Sequence, residues 1–200
     1  MTDDANLDSK LDEERFLMSD DLPFTEPGFC LNAQSDWGAL AFGFKKAADL
    51  LVSAQLEIFR HGDYTVYPIV YLYRHHIELA LKEIISRGGS LLDPPVGVPP
   101  HHSLRRLWTR CKRILKRLDI GDDIPELQPF ENSIQQLGKY DQTSESFRYP
   151  LKRFGQPALP PDLESIDIEN LRRVAEGMST FLDITLEAVR ERAGEHARGL

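Results

Sequence analysis

The chain has 200 residues, 41% of them hydrophobic, and a formal net charge of -8. That length supports one domain with a real core, and no stretch reaches the roughly 18 apolar residues a membrane span needs. The start, MTDDANLDSK, has neither the basic head nor the apolar centre of a signal peptide, so a cytoplasmic protein with no membrane partner is the expectation. Cys30 and Cys111 lie far apart without metal-ligand spacing and read as free thiols in a reducing compartment. The charge is uneven: residues 1–27 hold nine acids against Lys10 and Arg15, and the remainder is close to neutral. Overall acidity is therefore a weak argument against a nucleic-acid partner for the folded part.

Residues 1–34 are polar, acidic and broken by Pro23 and Pro27, which predicts a mobile arm with a short helix around Leu11 to Met18. Ser35 has the character of an N-cap. From Asp36 to about Arg60, Trp37, Leu40, Ala41, Phe44, Ala48, Leu51, Leu56 and Phe59 recur near the helical period, and Gly62 offers a stop. A second helix is predicted from Tyr64 to Ser86. Pro68 falls near its first turn, where a missing N–H costs least, and Gly88 with Gly89 would end it. Residues 88–102 are too rich in Gly and Pro for regular structure. Ser103 should cap a third helix running to about Leu118, and a fourth should run from Pro125 or Leu127 to Lys139. After an irregular segment from Tyr140 to Pro161, Asp167 to about Arg192 is the last long helix, ahead of a frayed tail over 193–200. With no strand pattern and no internal repeat, the expectation is an all-α bundle of about five helices, one domain spanning residues 35–192.

The second predicted helix contains YLYRHHIELALK, from Tyr71 to Lys82. Tyr71, Arg74, His75, Glu78 and Lys82 fall within an arc of about 100°, while Val66, Ile69, Val70, Leu72, Tyr73, Ile77, Leu79, Leu81 and Ile84 cover most of the remaining surface. A helix with that pattern belongs at the centre of a bundle, and its polar groups then need partners or a ligand. The plainer reading is a surface ladder of Arg74, Glu78 and Lys82 at i, i+4, i+8. His76 lies about 100° further round, so the paired histidines are not two ligands of one metal. Without HExxH or a Cys/His spacing, no metal site is expected. His101 and His102 precede a helix N-terminus, where the choice is between facing an anion and a loop or capping role. No P-loop, GxGxxG turn or nucleophile elbow is present, which disfavours nucleotide hydrolysis and serine-hydrolase chemistry.

Two further segments carry charge in a pattern. The third predicted helix sets Leu104, Leu107, Trp108, Cys111, Ile114, Leu115 and Leu118 on one face and Arg105, Arg106, Arg110, Lys112, Arg113, Lys116 and Arg117 on the other, seven cations in sixteen residues without an acid. Such a face suits a phosphate backbone, unless the acidic arm or acids on the next helix neutralise it. The segment DQTSESFRYPLKRF, Asp141 to Phe154, interleaves Arg148, Lys152 and Arg153 with Phe147, Tyr149 and Phe154. Alternating rings and cations suit single-stranded nucleic acid, and the competing reading is a proline-pinned loop whose rings dock on the bundle. Asp141, Ser144 and Ser146 would cap turns of that loop.

YRHHIELALKEII on an early helix, HHSLRRLW opening the basic helix and DQTSESFRYP before the last helix together resemble the helical proteins of the HEPN superfamily, over about residues 36–192. The resemblance implies a bundle of four or five helices, frequent homodimerisation, and a place in prokaryotic toxin–antitoxin or antiviral defence systems. In many members it also implies metal-independent ribonuclease activity, at an arginine followed by four to six residues and then a histidine. This chain departs from that motif: the match is Arg190 with His196, in the charged stretch RERAGEHARGL. The resemblance implies a domain that binds or cleaves RNA without a cofactor. A catalytic site would be composite, with Arg74 or Arg148 on the phosphate and His75 or His102 as general acid or base at about pH 7. Two alternatives stay open: a non-catalytic dimeric module for a protein partner, and a small-nucleotide sensor whose pocket is the stripe.

Overall fold

The computed structural model describes residues 36–57, 62–120 and 127–198. The arm with its predicted short helix, Cys30, and the predicted helix limits at Arg60 and Pro125 lie outside the described residues. Those residues form five α-helices and no strand: α1 (Trp37–Glu57), α2 (Gly62–Ser90), α3 (Leu104–Arg117), α4 (Leu127–Tyr140) and α5 (Ile168–Arg198), with one 3₁₀ turn at Arg153–Gly155. No helix among them is long and apolar enough to cross a membrane.

Helix α2 occupies the centre, as its nearly continuous apolar surface requires. On one side Ile77, Leu81, Ile84 and Ile85 join Leu104, Leu107, Trp108, Ile114 and Leu115 of α3, Phe130 and Ile134 of α4, and Phe181, Leu182 and Val189 of α5. Trp108, Phe130 and Phe181 form the aromatic heart of this core, with ring centroids 4.4 to 5.7 Å apart. On the other side Ile69 and Tyr73 pack with Ala48 and Val52 of α1 and Ala175 of α5. Cys111 is buried in the larger core, and its thiol donates to the Leu81 carbonyl.

The helix limits differ from the predicted ones for identifiable reasons. Asp36 caps α1: its Oδ1 accepts the N–H groups of Gly38 at 2.9 Å and Ala39 at 3.1 Å, and a carboxylate also suits the helix dipole, while Ser35, the predicted cap, lies outside the described residues. Gly62, predicted to stop α1, is the first residue of α2, which places Pro68 two residues deeper in the helix than expected. Gly88 and Gly89 do not end α2. They are there for close approach: a Cβ on Gly88 would stand 2.8 Å from Ile114 Cγ2, and one on Gly89 would stand 2.0 Å from the Val96 carbonyl oxygen. That carbonyl approach comes from the loop after α2 folding back, where Val96 N–H donates to Gly89 O at 2.9 Å. Helix α5 continues to Arg198, six residues past the predicted end, with Arg192 held by Glu195 and by the Asp119 carbonyl.

Glycines in these helices therefore make opposite predictions. Gly43 of α1 has open space around it, so Gly43→Ala should raise unfolding free energy by about 0.5–1 kcal/mol through helix propensity. Gly88→Ala should lower it by about 1–3 kcal/mol through overpacking against Ile114. Urea melts of the two variants check the pair, and a Gly88→Ala protein as stable as Gly43→Ala would refute the overpacking.

Candidate functional site

Because α2 is central, its polar arc is closed over by two loops, one between α2 and α3 and one between α4 and α5. Glu78 has no exposed side-chain surface, and its two oxygens accept three donors. Oε2 takes Arg74 Nη1, while Oε1 takes Lys82 Nζ at 2.8 Å and His102 Nδ1 at 2.8 Å. Burial alone would raise the Glu78 pKa, but the hydrogen bonds from Lys82, Arg74 and His102 outweigh it and hold the carboxyl below its ordinary range. Lys82 also sits over the Trp37 ring of α1, 5.4 Å from its centroid.

Arg74 is only 1% exposed, and its guanidinium is directed inward. Beyond Glu78, Nη2 donates to the His102 carbonyl. Its Nε lies 3.2 Å from Asp141 Oδ2, an ion pair whose angle does not make a hydrogen bond. Asp141, just past the end of the α4 core, is 1% exposed, and its Oδ1 accepts the N–H groups of Glu145 at 3.0 Å and Ser146 at 3.3 Å. One buried network thus ties α2 to residues 102 and 141–146.

His102 stands at the rim of this network with its side chain 54% exposed. A carboxylate can only accept, so Nδ1 carries the proton toward Glu78, and the neutral ring keeps its lone pair on Nε2. Nε2 has no partner among the described residues. His75 lies one turn before Glu78, stacked on Tyr71 at 5.5 Å and met edge-on by Phe44 at 4.4 Å. Its burial lowers its pKa; Glu78 opposes that, and the positive charges of Arg74 and Lys82 add to it. Arg148 continues the column: its guanidinium lies 5.4 Å from the Tyr71 ring and 5.4 Å from the Tyr149 ring, with Nε donated to the Ser144 carbonyl at 2.6 Å. Its terminal nitrogens have no partner among the described residues, and the residue is exposed.

The structure therefore brings Arg74, His75, Glu78, Lys82, His102, Tyr71 and Arg148 into one neighbourhood. Arg74 and Arg148 do not share a role in it, since one faces the core and the other faces solvent. His76, outside the arc, is buried elsewhere: Nδ1 donates to the Ala41 carbonyl at 2.9 Å, and Nε2 meets Ser179 Oγ at 3.2 Å. Arg190 is paired with Glu187, and six residues of helix put His196 about 120° away around α5, so the two do not meet on one face.

On α3, Arg105, Arg106, Arg113 and Lys116 are exposed without an acidic partner among the described residues. Lys112 pairs with Glu131 of α4, Arg117 donates to the Asp93 carbonyl, and Arg110 is partly buried. In the 141–154 loop Phe147 is buried, so it belongs to the core rather than to an exposed stack. Tyr149, Lys152 and Phe154 are exposed, and the side chain of Arg153 lies outside the described residues. Sequence reasoning missed Asp141 as the partner of Arg74 because a carboxylate followed by Thr143, Ser144 and Ser146 signals a turn cap, which it also is. Phe44 and Trp37 read as core residues in the sequence, and helical periodicity carries no signal that their rings meet His75 and Lys82. No family model, curated protein or solved structure matches this chain.

Glu78→Ala leaves Arg74 and Lys82 buried without their acceptor and should cost about 3–5 kcal/mol. Because the folded carboxyl is held below its ordinary value, its stabilisation is complete above pH 4.5 and is lost as the pH falls below that value. Unfolding free energy measured from pH 7 to pH 3 should fall more steeply for the wild type than for Glu78→Gln, and parallel curves would contradict the assignment.

Proposed function

We propose that this chain is an HEPN-like domain that binds RNA and cleaves it without a metal. The single observation that supports the reading is the pairing of a half-exposed imidazole with a buried carboxylate: His102 presents Nε2 to solvent while Nδ1 is held 2.8 Å from Glu78. A histidine so oriented is a general base with its tautomer set.

In this reading Nε2 of His102 accepts the proton of a ribose 2′-hydroxyl, and the 2′-oxygen attacks the adjacent phosphorus. The 5′-oxygen leaves with a proton from solvent, which yields a 2′,3′-cyclic phosphate and a 5′-hydroxyl end. Arg148, with free terminal nitrogens, holds the phosphate and stabilises the charge gained at phosphorus. Arg74 does not contact substrate. It is a positioning residue that holds the His102 main chain. His75, whose pKa is lowered by burial, stays neutral and fixes the Tyr71 ring on which Arg148 rests. The exposed cations of α3 begin three residues after His102 and suit the flanking phosphates. A homodimer in a prokaryotic defence or toxin–antitoxin setting accompanies the same resemblance.

RNA cleavage assayed in excess chelator, with end-group analysis, tests this directly. His102→Ala should slow cleavage by about 10²–10⁴-fold, and Arg148→Ala should raise KM and slow the chemical step while leaving the fold intact. Wild-type rates in His102→Ala would refute the general base. A wild-type protein that neither binds nor cleaves RNA would favour the protein-interaction module instead.

A further inference from the structure

Residues 150–158 form a short, closed finger ahead of α5. Lys152 N–H donates to the Gln156 carbonyl at 2.7 Å and Ala158 N–H to the Pro150 carbonyl at 3.0 Å, with a bridge between Leu151 and Pro157. At its tip Phe154 is 99% exposed. Its backbone has φ 71° and ψ 20°, the left-handed region, followed by Gly155 at φ 77°.

Both facts cost stability. A phenylalanine in the left-handed region crowds its Cβ against the following carbonyl, and a fully exposed ring gains nothing from burial. Glycine or asparagine would close the same turn without strain. A residue that is unfavourable on two counts and packs on nothing in its own domain is the kind of outlier from which function is inferred.

What surrounds the ring indicates its partner. Tyr149 and Leu151 are also exposed, Lys152 lies between the rings in sequence, and Arg148 at the base of the finger has free terminal nitrogens. Ring and cation thus alternate along the segment leading from Arg148 to Phe154, and Arg148 itself rests on Tyr71 beside His75. A single strand of nucleic acid offers the complement, a base face and a phosphate in alternation. In a duplex those base faces are covered by their neighbours. A lipid surface would use the apolar tip but leaves the column from Arg148 toward His75 unexplained.

We propose that the 150–158 finger makes this domain selective for single-stranded RNA, Phe154 stacking on an unpaired base while Arg148 and Lys152 meet the phosphates on either side. The proposal rests on the RNA reading above and specifies its substrate class.

A fluorescein-labelled 2′-O-methyl oligonucleotide, which lacks the hydroxyl needed for cleavage, and its blunt duplex provide the test by fluorescence anisotropy. The wild type should bind the single strand more tightly than the duplex. Phe154→Ala should weaken single-strand binding by about tenfold or more, and Phe154→Trp should restore it. Phe154→Gly separates the ring from the fold: it should lose affinity as Phe154→Ala does while melting at the same or a higher temperature. Single-strand binding unchanged in both Phe154→Ala and Phe154→Gly, or equal binding of strand and duplex by the wild type, would overturn the finger and leave the RNA reading standing. No binding of either probe by the wild type would sink both. Phe154-dependent binding to phosphatidylserine vesicles, with RNA binding indifferent to Phe154, would assign the finger to a membrane and overturn the proposal.

Discussion

A carboxylate with no exposed surface at the middle of a helical bundle is tolerable only if donors saturate it, and Glu78 sets that condition on everything around it. Two of its three donors, Arg74 and Lys82, come from its own helix one turn to either side. The third, His102, comes from the loop that leads into α3. Arg74 then needs acceptors of its own and finds them in the His102 carbonyl and in Asp141. One buried charge therefore fixes where two loops close over α2. A network of this kind is weak evidence for net stability, because apolar groups of the same shape would serve as well. What it does supply is position.

The position matters at the rim. His102 is the member of the network that reaches solvent, and its ring orientation is set from below by Glu78 while its backbone is held by Arg74. Beside it runs the column of Phe44, His75, Tyr71, Arg148 and Tyr149, which passes from half-buried rings to exposed side chains. The two arginines divide the work by depth. Arg74 is spent on internal acceptors, whereas Arg148 is supported by two rings and its terminal nitrogens have no partner among the described residues. The stripe on α2 is thus a support for side chains displayed on the loops, in line with the way rigid elements position loops.

Much of the fold is legible in the sequence where it depends on one helix at a time. The apolar surface of α2 announces its central place, the faces of α3 separate cleanly, and the arc arithmetic removes His76 from the stripe, consistent with its contacts to Ala41 and Ser179. Contacts between segments far apart in the chain leave no such trace. Periodicity cannot show that Asp141 meets Arg74, that the loop after α2 returns its Val96 carbonyl onto Gly89, or that Phe147 turns inward while Tyr149 turns out. The glycine pair misleads for the same reason: Gly signals a helix stop by its backbone freedom, yet here it is required by the neighbours' proximity. At the C-terminus the charged composition points to fraying, whereas ion pairing along α5 and a bond from Arg192 to Asp119 carry the helix on to Arg198.

At the centre of the site, the buried Glu78 carboxylate sets the tautomer of the exposed His102 ring. Nitrogen-15 NMR of the imidazoles, with His102 assigned by its substitution and the spectrum taken at alkaline pH where the ring is neutral, reads that tautomer directly. The proton should be found on Nδ1, with a free lone pair on Nε2. A His102 ring protonated mainly on Nε2, the form a free imidazole side chain prefers, would contradict this control by Glu78.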